Sequence, residues 1–381
     1  MELTIALIIV VLASVVIMYA CNGFDDAASY LGRNMKPGVR GATINAVGSS
    51  MPELMTASFL LFLYHDQDGF SASIATTAGS AVFNSVMIPM VCILAVRYKG
   101  VSTESIIDGV KKTVREKING ISVSKGTILR DGFFLLVAEA ALIWFLGGNT
   151  MAWWMGASLM GIYLLYFAFL MTGFGGGGEE DEDDEDDEDD EDDEQVSKIK
   201  ALLTLDFNNL IFNGSSFSTG SAWVVLILAT TVLGAACWQL AEAVMMSANA
   251  LNVPPYFTAV ILAAAATSVP DTVLSVKDAL RGDYDDAISN ALGSNTFDIT
   301  VALGLPLLVY ALLYGDVFIA SAADTQVLRY VIFGVTLAVL SIFLFSKQVT
   351  ITSAYILGAI YLGWVGFIIY GMVTLTNAVP G

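Results

Sequence analysis

Residues 46–53 read AVGSSMPE, and residues 264–271, 218 positions further along the chain, read AAATSVPD. Both segments have two adjacent hydroxyl residues, then one apolar residue, then a proline and an acid. The proline and acid are Pro52-Glu53 in the first segment and Pro270-Asp271 in the second. Each is followed by a second related segment, GSAVFN at 79–84 and GSNTFD at 293–298. The two-part motif therefore occurs once in each half, which predicts a chain built from two related halves.

The composition is that of a membrane protein. Of 381 residues, 56% are hydrophobic and only 14% are charged, whereas about a quarter of the residues in a soluble domain are charged. The long apolar stretches match the roughly 20 residues that span a bilayer as a helix. A single histidine and three cysteines without a CxxC pair exclude a multi-histidine site and give no indication of a zinc site.

The hydropathy pattern predicts ten transmembrane helices and an all-α polytopic fold embedded in the lipid bilayer. The first five spans are expected at 3–21, 41–64, 70–96, 131–147 and 151–173. The second five are expected at 221–246, 256–278, 286–313, 327–345 and 350–375. With five spans in each half, the second half has the opposite orientation in the membrane, as in inverted-repeat transporters. We therefore expect a first repeat at 1–173 and a second at 201–381.

Basic residues set the expected orientation, because lysine and arginine collect on the cytoplasmic side. With the amino terminus outside, sixteen of the seventeen basic residues lie on cytoplasmic connections, and only Arg329 lies outside. This predicts a multi-pass protein of the inner or plasma membrane, with both termini outside and the 174–200 linker in the cytoplasm.

The 174–200 linker carries most of the chain's negative charge. Residues 179–194 are sixteen consecutive acids, and without them the formal net charge falls from −20 to −4. The Gly-rich and acidic composition predicts a disordered, solvated segment, with diffuse weak Ca²⁺ binding as the alternative. We expect no nucleic-acid partner.

The basic connection at 103–120 has apolar residues at helical spacing beside several lysines and arginines. A basic amphipathic helix on the inner leaflet and a solvated linker are equally compatible with this pattern.

The motif residues indicate a cation site at the centre of the membrane. Pro52 and Pro270 each remove an amide donor and so free the carbonyl four residues earlier, which predicts broken helices at the midplane. Each proline lies beside hydroxyls and a carboxylate, and Ser80/Asn84 and Ser294/Asp298 are i,i+4 pairs that share a helix face. Such hard oxygen ligands suit Ca²⁺ and alkali cations.

At these residues the sequence resembles the Ca²⁺/cation antiporter superfamily, whose two alpha-repeats look like AVGSSMPE–GSAVFN and ATSVPD–GSNTFD. The resemblance covers essentially the whole chain and implies that helices two, three, seven and eight hold the ions while helices one and six slide. Carried over by position, the implied ligands are Glu53, Asp271, Asn84, Asp298, Ser49, Ser50, Ser80, Thr267, Ser268, Ser294 and the carbonyls of Ala46 and Ala264.

These features predict a secondary antiporter, not an enzyme, that exchanges Ca²⁺ for Na⁺ without a resident cofactor. Leu54 and Thr272 follow the motif acids, where the H⁺/Ca²⁺ branch has a Glu-His pair. The second repeat is similar to K⁺-dependent exchangers, so K⁺ coupling stays open, and H⁺ exchange is a weaker alternative. A passive cation channel and an intramembrane aspartyl protease are the rivals from other classes. Glu139, within the fourth span, is expected to be protonated or paired inside the bundle.

Overall fold

The computed structural model describes residues 1–33, 46–64, 67–107, 110–148, 150–171, 198–318, 322–346 and 348–378. The α-helices in these ranges are α1 Glu2–Leu31, α2 Ala46–Tyr64, α3 Gln67–Lys99, α4 Lys125–Phe145, α5 Trp153–Met171, α6 Lys198–Leu203, α7 Phe207–Phe212, α8 Thr219–Leu251, α9 Pro255–Thr258, α10 Ala264–Thr267, α11 Val269–Arg281, α12 Tyr284–Phe297, α13 Gly304–Tyr314, α14 Ala322–Phe345 and α15 Ile351–Ala378. Two π-helical segments, Ala259–Ala263 and Asp298–Ala302, connect α9 to α10 and α12 to α13.

The helical, multi-span membrane architecture is confirmed. Among the described residues, six helices are long and apolar enough to cross a membrane, and a seventh span results if the bent pair Pro255–Thr267 and Val269–Arg281 is counted as one. A shorter apolar helix covers Tyr330–Phe345. Helices therefore lie at all ten expected positions, but the ten-span inverted repeat stays a prediction.

Within the described residues, the motif helix is broken in the second half and continuous in the first. In the second half the chain bends by 41° between Pro255–Thr267 and Val269–Arg281. In the first half α2 runs through Pro52 without interruption, so the break expected there is wrong for the described residues. A proline removes one amide hydrogen bond and can kink a helix without ending it.

The centre of the bundle is formed by α3 and by the run from α12 to α13. In each of these, 67% of the residues in an 18-residue apolar stretch are buried, against 17% in α5 and in α15. Ser73, Thr76, Thr77 and Ser85 of α3 are all buried. The helices at the centre therefore carry buried hydroxyl side chains, as expected where polar groups must avoid lipid.

A pair of long helices, α1 and α8, packs side by side at the edge of this centre. Their buried faces carry alanines at seven-residue intervals, all at most 7% exposed: Ala6, Ala13, Ala20 and Ala27 in α1, and Ala222, Ala229, Ala236 and Ala243 in α8. Seven-residue spacing keeps side chains on one face, and small side chains allow close helix approach. Alanines therefore form one row on each buried face, beside larger buried side chains such as Ile17 of α1 and Leu233 of α8.

Six short strands in the described part of the chain correct the all-α expectation. Val101–Ile107 (β1) and Val110–Glu116 (β2) form an antiparallel hairpin, with Val101 opposite Glu116 and Ile107 opposite Val110. The amphipathic helix expected for 103–120 is therefore wrong, and the alternative of a solvated connection stays a prediction. The β-branched isoleucines, valines and threonines of this stretch favour strands, and β1 contacts α11.

The other four strands form two-residue ladders between the halves. Gly120–Ile121 (β3) pairs with Val349–Thr350 (β6), and Thr150–Met151 (β4) pairs with Val317–Phe318 (β5). Each ladder joins a connection of the first half to one of the second half. The ladders thus fix the halves to each other at the ends of their helices.

Candidate cation-binding site

The four helices expected to carry the site do converge at the centre of the bundle. α2 and α3 from the first half contact α11, α12 and α10 from the second. All expected ligand residues whose side chains the structure describes are at most 1% exposed: Ser49, Ser50, Glu53, Ser80, Asn84, Ala264, Thr267, Ser268, Asp271, Ser294 and Asp298. Ala46 begins α2, and its side chain lies outside the described residues.

The Glu53 carboxylate is held by one hydroxyl from each half. Its Oε1 accepts a hydrogen bond from Ser80 Oγ at 3.2 Å and from Ser268 Oγ at 3.3 Å. The two hydroxyl oxygens are 2.6 Å apart. Glu53 on α2 is therefore joined to its own partner helix α3 and to the break before α11.

The Asp271 carboxylate has the corresponding arrangement in the second half. Ser294 Oγ donates to Asp271 Oδ1 at 2.9 Å, and Asn84 Nδ2 donates to Oδ2 at 3.2 Å. Ser49 also hydrogen-bonds this carboxylate. Each motif acid thus binds the serine of its own half and a polar residue of the other half, which is the contact pattern of two related halves.

Several oxygens in this cluster are buried and accept no hydrogen bond from the described part of the chain. They are Ser50 Oγ, Glu53 Oε2, Asn84 Oδ1 and both carboxylate oxygens of Asp298. Buried polar atoms in proteins nearly always have a partner, and an ion or water is a usual one. Carboxylate, amide and hydroxyl oxygens are the ligands that Ca²⁺ and Na⁺ prefer.

Asp298 occupies a separate position from the other two acids. It is the first residue of the π-helical segment Asp298–Ala302, and it lies within electrostatic range of Glu53 and Asp271. Ser80 is near enough to interact with it, although neither Asp298 oxygen has a partner of normal hydrogen-bond geometry among the described residues. A π-turn is a frequent feature of functional sites.

The expected ligands form two acid-centred groups and not one closed shell. No group of three or more His, Cys, Asp or Glu residues in the described ranges is close enough to hold one metal ion. The Ala264 carbonyl accepts the Ser268 amide at 3.2 Å and the Thr267 hydroxyl at 3.4 Å. In this conformation the Ala264 carbonyl therefore accepts hydrogen bonds from its own helix, and its expected role as a ligand stays a prediction.

A close helix approach brings the two halves together. A Cβ placed on Gly79 would overlap the Val260 carbonyl oxygen and lie 2.8 Å from the Ala264 Cβ. At Gly293 of the second motif a Cβ would lie 3.3 Å from the Tyr166 hydroxyl. The glycine before Ser80 is therefore required for the contact between α3 and the π-helical segment that precedes α10.

Two asparagines support the site and did not emerge from the sequence. Asn295 Nδ2 of α12 donates to the Ala81 carbonyl at 3.0 Å and to Ser85 Oγ at 2.7 Å, both on α3. Asn290 Nδ2 donates to the Asp271 carbonyl at 3.4 Å and to Ser275 Oγ at 2.9 Å. Asn290 lies four residues before Ser294, so the i,i+4 spacing was the signal available for it.

Glu139 is hydrogen-bonded inside the bundle, which is one of the two states expected for it. Thr336 Oγ1 of α14 donates to Glu139 Oε1 at 2.6 Å. Its Oε2 is buried and has no partner among the described residues. The pair joins α4 to α14 and lies apart from the two acid-centred groups.

A family model for sodium/calcium exchanger proteins matches residues 5–172 and 221–370 of the chain. Human sodium/potassium/calcium exchanger 5 is 24% identical over 378 residues, covering 80% of this chain and 69% of that protein. The Drosophila melanogaster sodium/potassium/calcium exchanger Nckx30C is 36% identical over 91 residues, which are 22% of this chain and 10% of that protein. Most of the curated relatives are thus spanned only in small part.

Among solved structures, the sodium-calcium exchanger NCX_Mj soaked with 10 mM Na⁺ and zero Ca²⁺ aligns with a TM-score of 0.55 and 18% identity, covering 96% of this chain and 99% of that one. At this identity the match shows a shared fold. The family match extends over both halves and includes all four motif segments. The chain therefore belongs to the sodium/calcium exchanger protein family.

Proposed function

We propose that the chain exchanges Ca²⁺ for Na⁺ across the membrane by alternating access. The observation that carries the proposal is the pair of buried carboxylates, Glu53 and Asp271, each hydrogen-bonded by both halves of the chain. The names of the similar proteins, which are sodium/calcium and sodium/potassium/calcium exchangers, support the choice of ions.

The acids explain why transport would be an exchange. A charged side chain at the bilayer centre costs about 2.5–3.5 kcal/mol even on lenient scales, and three acids lie in this cluster, all 0% exposed. Cations lower that cost by supplying the opposite charge. Switching access from one side of the membrane to the other would therefore be unfavourable while the site is empty. Ca²⁺ and Na⁺ would exclude each other because they share the same oxygen ligands.

The movement that exposes the site to each side would involve α1 and α8. These helices pack against each other through faces that each carry a row of alanines, and they contact the motif helices α2 and α11. Small side chains in these rows allow close approach and lower the ridges that fix one register. We propose that this pair slides against the central helices within two inverted five-span repeats, 1–173 and 201–381, with the 174–200 linker in the cytoplasm.

Asp298 is proposed to set which monovalent cations support exchange. Neither of its oxygens has a partner of normal hydrogen-bond geometry among the described residues, although the Ser80 hydroxyl is near, so both are available to a cation. Asp298→Asn keeps the size of the side chain and removes the charge, and we expect the Na⁺ or K⁺ concentration for half-maximal Ca²⁺ uptake to change about three- to tenfold. Uptake would be measured against Na⁺, with and without K⁺.

The control for this variant is Asp316→Asn, which removes an exposed carboxylate just beyond α13. Its Na⁺ and K⁺ curves are expected to match those of the unmodified protein. Unchanged curves for Asp298→Asn, with normal folding, would refute the assignment of Asp298.

The proposed function is tested with the purified protein in proteoliposomes, with Na⁺, K⁺ and H⁺ gradients imposed one at a time. We expect Ca²⁺ uptake only when Na⁺ is present on the opposite side. Uptake that needs no opposing cation would indicate a channel, and uptake driven by a proton gradient alone would indicate H⁺/Ca²⁺ exchange. Absence of flux together with cleavage of a membrane peptide would indicate a protease.

A further inference from the structure

A second polar cavity lies beside the candidate site and opens towards the face predicted to be cytoplasmic. It has a volume of about 560 Å³ and lies between α1, the connection from α6 to α7, the start of α7, α8 and α11. Pro270, which directly precedes the motif acid Asp271, lines its inner part. We call this cavity the inner vestibule.

The inner vestibule has a net negative charge. The charged residues that line it are four acids and two bases, Asp25, Asp26, Asp206, Asp278, Lys277 and Arg281, which leaves −2 when all are ionised. Such a lining concentrates cations in the cavity. This alone does not make a binding site, because a solvated acidic surface has the same effect.

The Asp25 carboxylate is distinguished from the other acids by where it lies. Its Oδ1 atom is buried and accepts no hydrogen bond from the described residues. A Cβ placed on Gly48 would overlap this oxygen, so the carboxylate occupies the space left by the missing side chain of Gly48. Asp25 of α1 therefore reaches the backbone of the first motif helix, one residue before Ser49.

The surroundings of Asp25 do not supply a protein cation for it. Lys277 and Asp271 are both within electrostatic range, but no ion pair joins Asp25 to Lys277 in the described part of the chain. Asp26 also lines the vestibule, but it is exposed to solvent. A buried carboxylate oxygen without a partner is costly unless a cation approaches it.

We propose that Asp25 and the adjacent motif backbone form a transit site, where a hard cation, Ca²⁺ or Na⁺, binds between the inner vestibule and the acids Glu53 and Asp271. The proposal rests on the proposed exchange function. Because Asp25 belongs to α1 and Gly48 to α2, sliding of α1 would move this ligand relative to the central site. The transit site would therefore serve one side of the membrane only.

The first test compares the two faces of the membrane. In Na⁺-loaded everted vesicles, where the vestibule faces the medium, Asp25→Asn is expected to raise the KM for Ca²⁺ about tenfold, because oxygen sites depend strongly on ligand charge. In right-side-out vesicles the KM is expected to stay within about twofold of normal. An unchanged KM in everted vesicles, or an equal rise on both faces, would overturn the proposal.

Two variants control for general charge effects. Asp26→Asn removes an exposed charge from the same vestibule. Glu242→Gln removes an exposed acid of α8, whose Oε1 accepts a hydrogen bond from Trp238 Nε1 at 3.0 Å. Both are expected to leave the KM in everted vesicles within about twofold of normal, because exposed charges are screened by salt. A rise in Asp26→Asn equal to that in Asp25→Asn would show diffuse attraction instead of a site.

The second test does not depend on transport. Equilibrium binding of ⁴⁵Ca²⁺ is measured on purified protein carrying both Glu53→Gln and Asp271→Asn, which removes the central acids. We expect weak residual binding, with a Kd on the order of a millimolar, from which one site per chain is lost on adding Asp25→Asn and none on adding Asp26→Asn. Residual binding that is absent, or unaffected by Asp25→Asn, would overturn the transit site.

The two tests separate the two proposals. If the unmodified protein exchanges no ions but the Asp25-dependent binding is found, the exchange function fails and the site stands. If exchange is found but neither the KM nor the binding depends on Asp25, the site fails and the function stands.

Discussion

Glu53→Gln is expected to reduce Na⁺-driven Ca²⁺ uptake at least about a hundredfold, because the affinity of an oxygen site for Ca²⁺ changes by orders of magnitude with its negative charge. Glutamine keeps the shape of the side chain and an oxygen that can accept from Ser80 and Ser268, as Oε1 of Glu53 does. The folded state should therefore persist. Initial rates of ⁴⁵Ca²⁺ uptake would be measured in proteoliposomes, with size-exclusion profiles as the folding control.

Glu139→Gln is the matched control for this variant. Glu139 is also a buried glutamate with one oxygen bonded to a hydroxyl and the other without a partner among the described residues. Glu139 lies apart from the two acid-centred groups, so the protein that carries Glu139→Gln is expected to keep its affinity for Ca²⁺. Near-normal uptake by Glu53→Gln, or an equal loss in both variants, would show that Glu53 does not bind the transported ion.

Gly79→Ala is expected to abolish transport and to lower the thermal stability of the protein. The new Cβ would overlap the Val260 carbonyl oxygen and lie 2.9 Å from the Val260 carbonyl carbon. These are backbone atoms that cannot rotate away, so the helices must separate. Overpacking of this kind costs about 1–3 kcal/mol, and the shift would displace Ser80, which donates to Glu53.

The same substitution at two other glycines serves as the comparison. A Cβ on Gly161 of α5 meets no atom within 4 Å, and one on Gly293 meets only the Tyr166 hydroxyl, at 3.3 Å. Thermal unfolding followed by fluorescence size exclusion should show no change for Gly161→Ala and a smaller change for Gly293→Ala. If Gly79→Ala behaves like Gly161→Ala, the close contact of α3 with Val260 is not required.

The sequence predicted the motif side chains that are buried at the centre, although not all of their supporting residues. The duplicated motif predicted that Glu53, Ser80, Asp271 and Ser294 would be buried together, and the structure brings them together through direct hydrogen bonds. The reason is that both motifs combine a proline, hydroxyls and an acid in apolar segments, where such groups are tolerated only in contact with each other.

The i,i+4 spacing places each pair on one helix face, but it does not predict the partners of the last member of the pair. Asn84 donates to Asp271, whereas neither carboxylate oxygen of Asp298 has a partner of normal hydrogen-bond geometry among the described residues. The Asp298 amide still donates to the Ser294 carbonyl, and the wider π-helical turn begins only after it. Nothing in the local sequence identified that turn.

Contacts that depend on the opposite half could not be predicted from spacing. The bond from Asn84 to Asp271 joins residues 187 positions apart, and the approach of Asp25 to Gly48 depends on how α1 packs. The hairpin at Val101–Glu116 was also missed, because its isoleucines and valines fit an amphipathic helix as well as paired strands.

The central claim is that neither ion crosses without the other. It is tested most directly by following ²²Na⁺ efflux and ⁴⁵Ca²⁺ uptake at the same time in one preparation of proteoliposomes, with the membrane potential held at zero. The account predicts that each flux stops when the other ion is omitted, and that their ratio stays constant as the rate is varied. Movement of either ion alone, at a rate comparable to the coupled flux, would contradict it.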